Sequence, residues 1–242
     1  MNNGKYLYCI VEDGQKCCFN DLGLLGKPAY TVIYKDVSAV VSNVPFKEIH
    51  PDAESITAHQ KIIEASRIQG TTLPARFGIM FKSDEGVKQM LIKSYKDLKS
   101  KIIRLRGMDE FGLKIIIDED SFKKFSAVSQ NKPEIKKIKK EIQSSGDGTG
   151  YFLKMKMDEA IRNETHRRIE QISKDIHDEL AKTVQQNCLL RSDFDQIVLN
   201  AAYLIDRNSV TKFHKKLDTL KDKYKEGLLF HLSGPWAPYS FC

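Results

Sequence analysis

The sequence lacks several features that would each indicate a class of protein. It contains no run of about 18 apolar residues, so no segment is predicted to cross a bilayer as a helix. The apolar run near the N-terminus is too short for a signal peptide. The 5 cysteines are an odd number and form no CxxC pair, which argues against a disulfide framework or a zinc site. We therefore expect a cytoplasmic protein with free thiols.

Enzyme signatures are also scarce. There is no Walker lysine motif, no HExxH and no GxSxG. The glycines of GDGTG (146–150) follow a lysine-rich segment instead of a strand, so we interpret them as a flexible joint. His166 and His177 share a face of one predicted helix, but no third ligand completes a metal site. Because the carboxylates fall on helix faces predicted to be solvated, we expect no catalytic residues, no cofactor and no metal.

Basic residues are in modest excess over acidic ones and are not concentrated in a polybasic arm. The net charge is +7, but basic residues are interleaved with acids along most of the chain, which favours a solvated surface. The segment IKKIKKEI (135–142) could face an acidic partner or an anionic membrane, yet a packed or partly disordered insertion with a solvated lysine face is the preferred interpretation. The candidate strands are aliphatic and lack the exposed aromatics of RNA-binding sheets. We expect no nucleic acid and no membrane partner.

Strand and helix patterns predict an α+β protein. In the first half, three strand-like runs precede a helix that Asp52 caps and that stops near Gly70. Residues 71–81 are predicted to form a strand entered through Pro74, and Ser83 opens a second helix that Gly107 ends. The second half contains a strand at 110–117, a lysine-rich segment, a long helix at about 151–186, a central strand at 196–207, a helix from Asn208 or Ser209, and a strand at 227–233.

This order predicts two domains. Read as strand, long helix, one or two strands, helix and strand, the second half has the order of a ferredoxin-like unit, with an insertion near 119–150 before its first helix. We therefore predict an N-terminal α+β domain at 1–107, a C-terminal ferredoxin-like α+β domain with a long helix at 108–231, and an aromatic tail at 232–242 that packs on the fold. Each domain should hold a small, mostly antiparallel sheet with helices.

The C-terminal stretch HLSGPWAPYSFC (231–242) is rich in aromatic residues, unlike a disordered tail. Gly234 and Pro235 are expected to end the last strand with a turn. Pro235 and Pro238 stiffen the segment, and Trp236, Tyr239 and Phe241 offer large apolar faces. The tail is interpreted first as a latch that packs over the sheet or between the domains, and second as an anchor for a partner.

Two internal motifs carry the same ambiguity. In LPARFG (73–78), Arg76 could cross-link the domains, or Phe77 could meet a partner. In the apolar run IVLNAAYLI, Asn200 is interpreted first as a core amide that needs hydrogen-bond partners and second as a binding residue. Arg207 at the strand end is expected to pair with a carboxylate.

Three stretches together carry a family resemblance. TLPARFG (72–78), LNAAYLIDR (199–207) and LSGPWAPYSF (232–241) resemble motifs of the gas vesicle protein F/L family, in the same order along nearly the whole chain. Ala237 stands where the family commonly has proline, and the lysine-rich segment 132–145 has no match.

The resemblance implies a non-enzymatic accessory or minor structural protein of gas vesicle formation. Such a protein would bind the hydrophobic shell protein, and possibly other accessory proteins, to prevent aggregation and assist nucleation, in the cytoplasm and at the gas vesicle. The alternative is a cytoplasmic enzyme or small-molecule-binding regulator on a ferredoxin-like scaffold. The resemblance also indicates the partner-binding or domain-latching residues: Leu73, Pro74, Arg76, Phe77, Pro235, Trp236, Pro238, Tyr239 and Phe241.

Overall fold

The structure is a computed structural model that describes residues 3–12, 18–19, 23–192, 194, 196–224 and 227–242. Its described residues divide into two compact units. The first unit contains residues up to Phe111 together with Leu204–Arg207 and Gly234–Cys242, and the second contains Gly112–Tyr203 and Asn208–Ser233. The fold is α+β, with two small sheets and helices, as predicted. The predicted domain borders stay a proposal.

Among the described residues, six strands form the sheet of the first unit: β1 (Asn3–Val11), β2 (Cys18–Phe19), β3 (Ala29–Tyr34), β4 (Val37–Pro45), β5 (Thr72–Pro74) and β6 (Met80–Phe81). Their order is β2-β3-β4-β1-β5, and β6 also pairs with β1. The predicted hairpin is confirmed, because β3 and β4 pair antiparallel around a turn in which Lys35 adopts a φ of 54°. β1 also pairs antiparallel with β4, β5 and β6.

Two capped helices cover this sheet. The Asp52 carboxylate accepts a hydrogen bond from the backbone N–H of Ser55 at the start of α1 (Ala53–Gln69), and Ser83 caps α2 (Asp84–Leu105) in the same way. Both starts confirm the predictions. Because successive strand residues face opposite sides, β1 contributes Tyr6 to a cluster on the α1 side and Leu7 to a cluster on the α2 side.

The predicted single strand over residues 71–81 is wrong. The chain forms the short strands β5 and β6, with a loop between them. Pro74 ends β5 instead of opening a strand, and Gly78 follows with a φ of +90°, a left-handed conformation that glycine adopts without steric cost. The loop therefore carries the second part of the LPARFG motif out of the sheet.

Among the described residues, four strands form the second sheet: β7 (Met108–Ile116), β8 (Gln186–Leu189), β9 (Ile197–Asp206) and β10 (Leu229–Trp236). Their order in the sheet is β10-β7-β9-β8. β9 lies inside the sheet and most of its residues are buried, as predicted for a central strand. The helices of this part are α3 (Glu119–Ser129), α4 (Pro133–Gln143), α5 (Asp147–Ala181) and α6 (Val210–Tyr224). Two of them, α3 and α4, stand in the place of the predicted insertion, and the ferredoxin-like arrangement stays a prediction.

The long helix α5 is the main helix of the second unit. Its residues Ile169, Ile176 and Leu180 are buried, and Ser173 donates a hydrogen bond to the carbonyl of Val198 at 2.8 Å. The lysine-rich segment forms α4, which packs against α5 and buries Ile135. The lysines of α4 are exposed, in agreement with the preferred interpretation of a solvated lysine face.

Two boundary predictions in this part of the chain are wrong. The GDGTG segment is not a joint, because α5 begins at residue 147 and the Gly150 N–H donates to the Gly146 carbonyl at 2.8 Å. Glycine is tolerated at Gly146 because this residue is the extended N-cap. The last strand does not end at Gly234–Pro235 but continues to Trp236. Since β10 is an edge strand, the missing N–H of Pro235 need not remove a ladder hydrogen bond.

Candidate functional site

The LPARFG loop is held in place by β1 and α1 of the first unit. Leu73 is buried on the α2 side of the sheet, opposite Ile10 in the register of β5 with β1. The Ala75 N–H then donates to the Tyr8 carbonyl at 2.8 Å. Pro74 lies at the end of β5, paired in register with Cys9. The backbone of the loop is therefore fixed at its start.

A buried aromatic cluster holds the other end of this loop. The rings of Tyr6, His59 and Phe77 meet edge to face, with centroids 5.6–5.8 Å apart. The Gly78 N–H donates to the Tyr6 hydroxyl at 3.2 Å, and the same hydroxyl lies 2.9 Å from Nδ1 of His59. Nε2 of His59 lies 3.2 Å from the Ala75 carbonyl. Phe77 is thus a packing residue of the first unit.

These contacts indicate which nitrogen of neutral His59 carries the proton. A carbonyl can only accept, so Nε2 of His59 carries the proton that it donates to Ala75, and Nδ1 accepts from the Tyr6 hydroxyl. Burial lowers the pKa of His59 and raises the pKa of Tyr6 to about 12. Both groups are therefore neutral at pH 7, and neutral hydrogen bonds and ring packing hold the cluster together.

Arg76 differs from its neighbours in the motif. Its side chain is exposed, and within the described ranges it makes no ion pair or hydrogen bond. The suggested cross-link through Arg76 therefore has no observed contact behind it. Arg76 is instead a charge that the fixed loop presents to solvent.

The aromatic tail docks on the first unit. Ala237 and Pro238 are buried, and Ala237 belongs to the cluster that contains Tyr6 and Ile63. Residues Tyr239–Phe241 form a single 3₁₀ turn, and the Phe241 carbonyl accepts a hydrogen bond from Arg104 at 2.6 Å. The tail therefore packs on the same aromatic cluster that holds the LPARFG loop.

Glu110 fastens the tail from β7. Its two carboxylate oxygens accept hydrogen bonds from the backbone N–H and the hydroxyl of Ser240, each at 2.7 Å. Burial raises the pKa of the Glu110 carboxyl, while the two bonds from Ser240 favour its ionised form. Glu110 joins two parts of the first unit that lie 130 positions apart in sequence.

A cleft of about 380 Å³ lies between α1 and the tail. Trp236 and Tyr239 are 43% and 42% exposed, although the two residues between them are buried. The walls are mainly apolar, and a few polar groups converge at the rim and floor, as in many binding sites. The lining residues are Thr57, Gln60, Lys61, Ile63, Glu64, Glu110, Trp236, Ala237 and Tyr239.

A second buried carboxylate lies next to Glu110. Asp109 accepts from Nη1 of Arg67 at 2.7 Å and from Nη2 of Arg207 at 3.1 Å. The expected pairing of Arg207 with a carboxylate is thus confirmed. Asn200, in contrast, is only half-buried, and its amide donates to the Arg191 carbonyl at 3.1 Å.

Sequence reasoning missed both buried carboxylates. We expected the carboxylates on solvated helix faces, whereas Asp109 and Glu110 are buried in β7. The available signal was their position at the start of a dense apolar strand. Their partners are distant in sequence, however, so no local pattern identifies them. In the part of the chain that the structure describes, no group of three or more His, Cys, Asp or Glu is arranged to hold a metal ion.

No described helix is long and apolar enough to cross a membrane. Comparison with solved structures shows a likeness over the whole fold. The crystal structure of the gas vesicle protein GvpF from Anabaena sp. PCC7120 matches with a TM-score of 0.85 and 24% identity, over 99% of this chain and 98% of that chain. At this identity the match establishes the fold.

Sequence comparisons give the family. Gas vesicle protein L1 of Halobacterium salinarum is 23% identical over 100% of this chain and 91% of its own length. Gas vesicle protein F of Haloferax mediterranei is 26% identical over 100% of this chain and 94% of its own length. The model of the gas vesicle synthesis protein GvpL/GvpF family matches residues 4–242. The chain therefore belongs to the GvpL/GvpF family of gas vesicle synthesis proteins, with a role in gas vesicle formation.

Proposed function

We propose that this chain is a non-enzymatic assembly protein of gas vesicle formation that binds the hydrophobic shell protein. In the cytoplasm and at the growing vesicle it would keep the shell protein from aggregating and assist the nucleation of the shell. A subunit that builds a water-excluding wall exposes apolar surface before assembly, and such surface aggregates unless it is covered. A reversible cover needs exposed apolar groups and no cofactor.

The observation that carries this proposal is the uneven burial of the tail. Ala237 and Pro238 are buried and fix the backbone, while Trp236 and Tyr239 remain about two-fifths exposed on either side. A partner that covered the open part of either ring would gain about 2 kcal/mol, at roughly 25 cal/mol per Å² of buried apolar surface. Because the tail is already ordered, little conformational entropy is lost on binding.

The other motif residues would act in two ways. Leu73, Pro74, Phe77, Pro235, Pro238 and Phe241 would hold the two segments on the first unit. Arg76 would face the partner, because its guanidinium is exposed and has no partner among the described residues. In this proposal the tail is both latch and anchor, with different residues in each role.

The test is co-expression with the shell protein from the same source, followed by pull-down from the soluble fraction. We expect the intact chain to retain soluble shell protein and Trp236→Ala to retain much less while staying folded. Phe46→Ala is the matched control, since Phe46 is an aromatic residue of the first unit with 45% exposure that does not line the cleft. It should retain the shell protein fully.

Two results would contradict the proposal. If no shell protein is retained at any salt concentration, the chain is not its binding partner. If Trp236→Ala binds normally but Phe152→Ala, an aromatic residue of the second unit with 67% exposure, does not, the tail is not the anchor.

A second candidate function is the binding of a small molecule in the same cleft. The volume of about 380 Å³ and the convergent polar groups support it, because ligand sites commonly have this size and lining. A ligand that binds the folded chain raises the melting temperature with its concentration. A thermal-shift screen of metabolites in which no compound raises the melting temperature would remove this candidate.

A further inference from the structure

The Glu110 carboxyl is buried without a cation. Its hydrogen-bond donors are the backbone N–H and the hydroxyl of Ser240, and both are neutral. Across the described ranges it makes no ion pair with lysine, arginine or histidine. Removing an ionised carboxylate from water is unfavourable unless a positive charge compensates. Glu110 is also one of the residues that line the cleft beside the tail.

The two other charged residues that line the cleft, Lys61 and Glu64, differ in their ion pairing. Glu64 is held by Arg67 of the same helix, so its charge is compensated. Lys61 lies at the rim, exposed and with no ion pair among the residues that the structure describes. Among the carboxylates that line the cleft, Glu110 is therefore the one that lacks a counter-charge.

The walls of the cleft favour a particular kind of cation. Trp236 and Tyr239 offer aromatic rings, and ring faces attract cations. A guanidinium group is planar, stacks on aromatic rings and donates two parallel hydrogen bonds to a carboxylate, which an ammonium group cannot do. Each oxygen of Glu110 accepts one bond from Ser240 and keeps a further lone pair for an incoming donor.

We propose that this cleft binds the guanidinium of an arginine side chain that a protein partner inserts between Trp236 and Tyr239 onto Glu110. The inference rests on the proposed function for the existence of a partner, and it specifies the chemistry of the contact. Lys61 opposes the incoming charge from the rim and so limits the affinity of the isolated cleft.

The single tryptophan of the chain reports on this cleft directly, because Trp236 lines it. We would titrate the full chain with N-acetyl-arginine amide and follow tryptophan fluorescence, with N-acetyl-citrulline amide as the neutral ligand of the same shape. The arginine ligand should bind about tenfold more tightly, because a charge-assisted bidentate contact is stronger than a neutral one. Added salt should reduce this preference.

Two variants sharpen the test. Glu110→Gln keeps the shape and an acceptor for Ser240 but removes the charge, so the preference for arginine over citrulline should disappear. Lys61→Ala removes the opposing charge and should tighten arginine binding about twofold to threefold, as expected for an exposed charge. Circular dichroism checks that both variants are folded, and the comparison of ligands on the unaltered chain stands even if one variant fails.

Several outcomes would overturn the inference. Equal binding of citrulline and arginine would show an amide-binding or apolar cleft. Tighter binding of N-acetyl-glutamate amide would show that Lys61 dominates. No saturable change with any ligand would show that Glu110 serves only to fasten the tail.

The pull-down separates this inference from the proposed function. If arginine is preferred but the shell protein is never retained, the cleft chemistry stands and the proposed partner is wrong. If the shell protein is retained equally by the intact chain and by Glu110→Gln, and no arginine preference exists, shell binding stands and the cleft inference fails.

Discussion

Asp109 and Glu110 are adjacent carboxylates in β7 that are buried to a similar degree, but their hydrogen-bond donors differ in charge. Asp109 is compensated by two arginines, Arg67 and Arg207. Glu110 is held by two neutral donors from Ser240 and borders an open cleft. Because successive strand residues point to opposite faces, one strand serves both arrangements. The difference indicates that a carboxylate saturated by arginines is structural, whereas one without a cation beside a cleft can still receive one.

The largest expected effect on stability comes from removing an arginine that pairs with Asp109. Arg67→Met should reduce the free energy of unfolding by about 2–3 kcal/mol, because it leaves the buried Asp109 with only the more exposed Arg207 and frees Glu64. Urea unfolding measures this. A loss below 0.5 kcal/mol, roughly the value of an exposed pair, would show that the Asp109 site is effectively solvated.

A smaller effect on stability is expected when Glu110, whose hydrogen-bond donors are neutral, is replaced. Glu110→Ala should cost about 2 kcal/mol, since the Ser240 N–H loses its acceptor and the tail loses its fastening. Glu110→Gln should cost less than half as much, because an acceptor oxygen remains. Unfolding followed by Trp236 fluorescence compares the two. Equal losses would mean that the charge, and not the hydrogen bonding, holds the tail.

Arg207 offers an intermediate case within the compensated site. Its side chain is 41% exposed, against 12% for Arg67, although both contact Asp109. Arg207→Met should therefore cost about 1 kcal/mol, because solvent screens the more exposed pair. The same urea series measures it, and a cost equal to that of Arg67→Met would show that burial of the cation does not set its contribution.

The smallest expected effect is the pH dependence of the contribution that Glu110 makes to stability. Burial raises the pKa of Glu110 above its ordinary value of 4.5, so the folded state holds this proton more tightly than the unfolded chain. The contribution of Glu110 to stability is fully present below pH 4.5 and is lost as the pH rises through the raised pKa.

This contribution is measured as a difference. The free energy of unfolding of the intact chain minus that of Glu110→Gln should fall with rising pH in this window. Glu12, whose pKa is lowered mainly by its hydrogen bond from Arg106, should give the opposite slope when it is replaced by Gln. A rising difference for Glu110 would mean that Ser240 outweighs burial.

The predictable part of the fold is the part with local signals. Asp52 and Ser83 mark helix starts because their side chains satisfy N–H groups within the same turn. The hairpin of β3 and β4 and the buried strand β9 follow from side-chain pattern alone. The GDGTG segment shows the limit, because glycine spacing does not reveal that α5 begins at residue 147 and packs against α4.

The site was predictable only in outline. The motif containing Trp236 and the one containing Phe77 were both identified, but the sequence does not show that both pack on the cluster that contains Tyr6. The fastening of Ser240 by Glu110 joins residues 130 positions apart, so it depends on the tertiary fold. The extent of β10 depended on its edge position, which local pattern does not reveal.

The docked tail has a consequence for synthesis. The first unit begins with β1, but its aromatic cluster includes Ala237, and Glu110 bonds to Ser240. During translation the N-terminal sheet therefore emerges long before the residues that complete it. The contacts of Ala237 and Ser240 with the first unit can therefore form only after most of the second unit, which precedes them in sequence, has been synthesised.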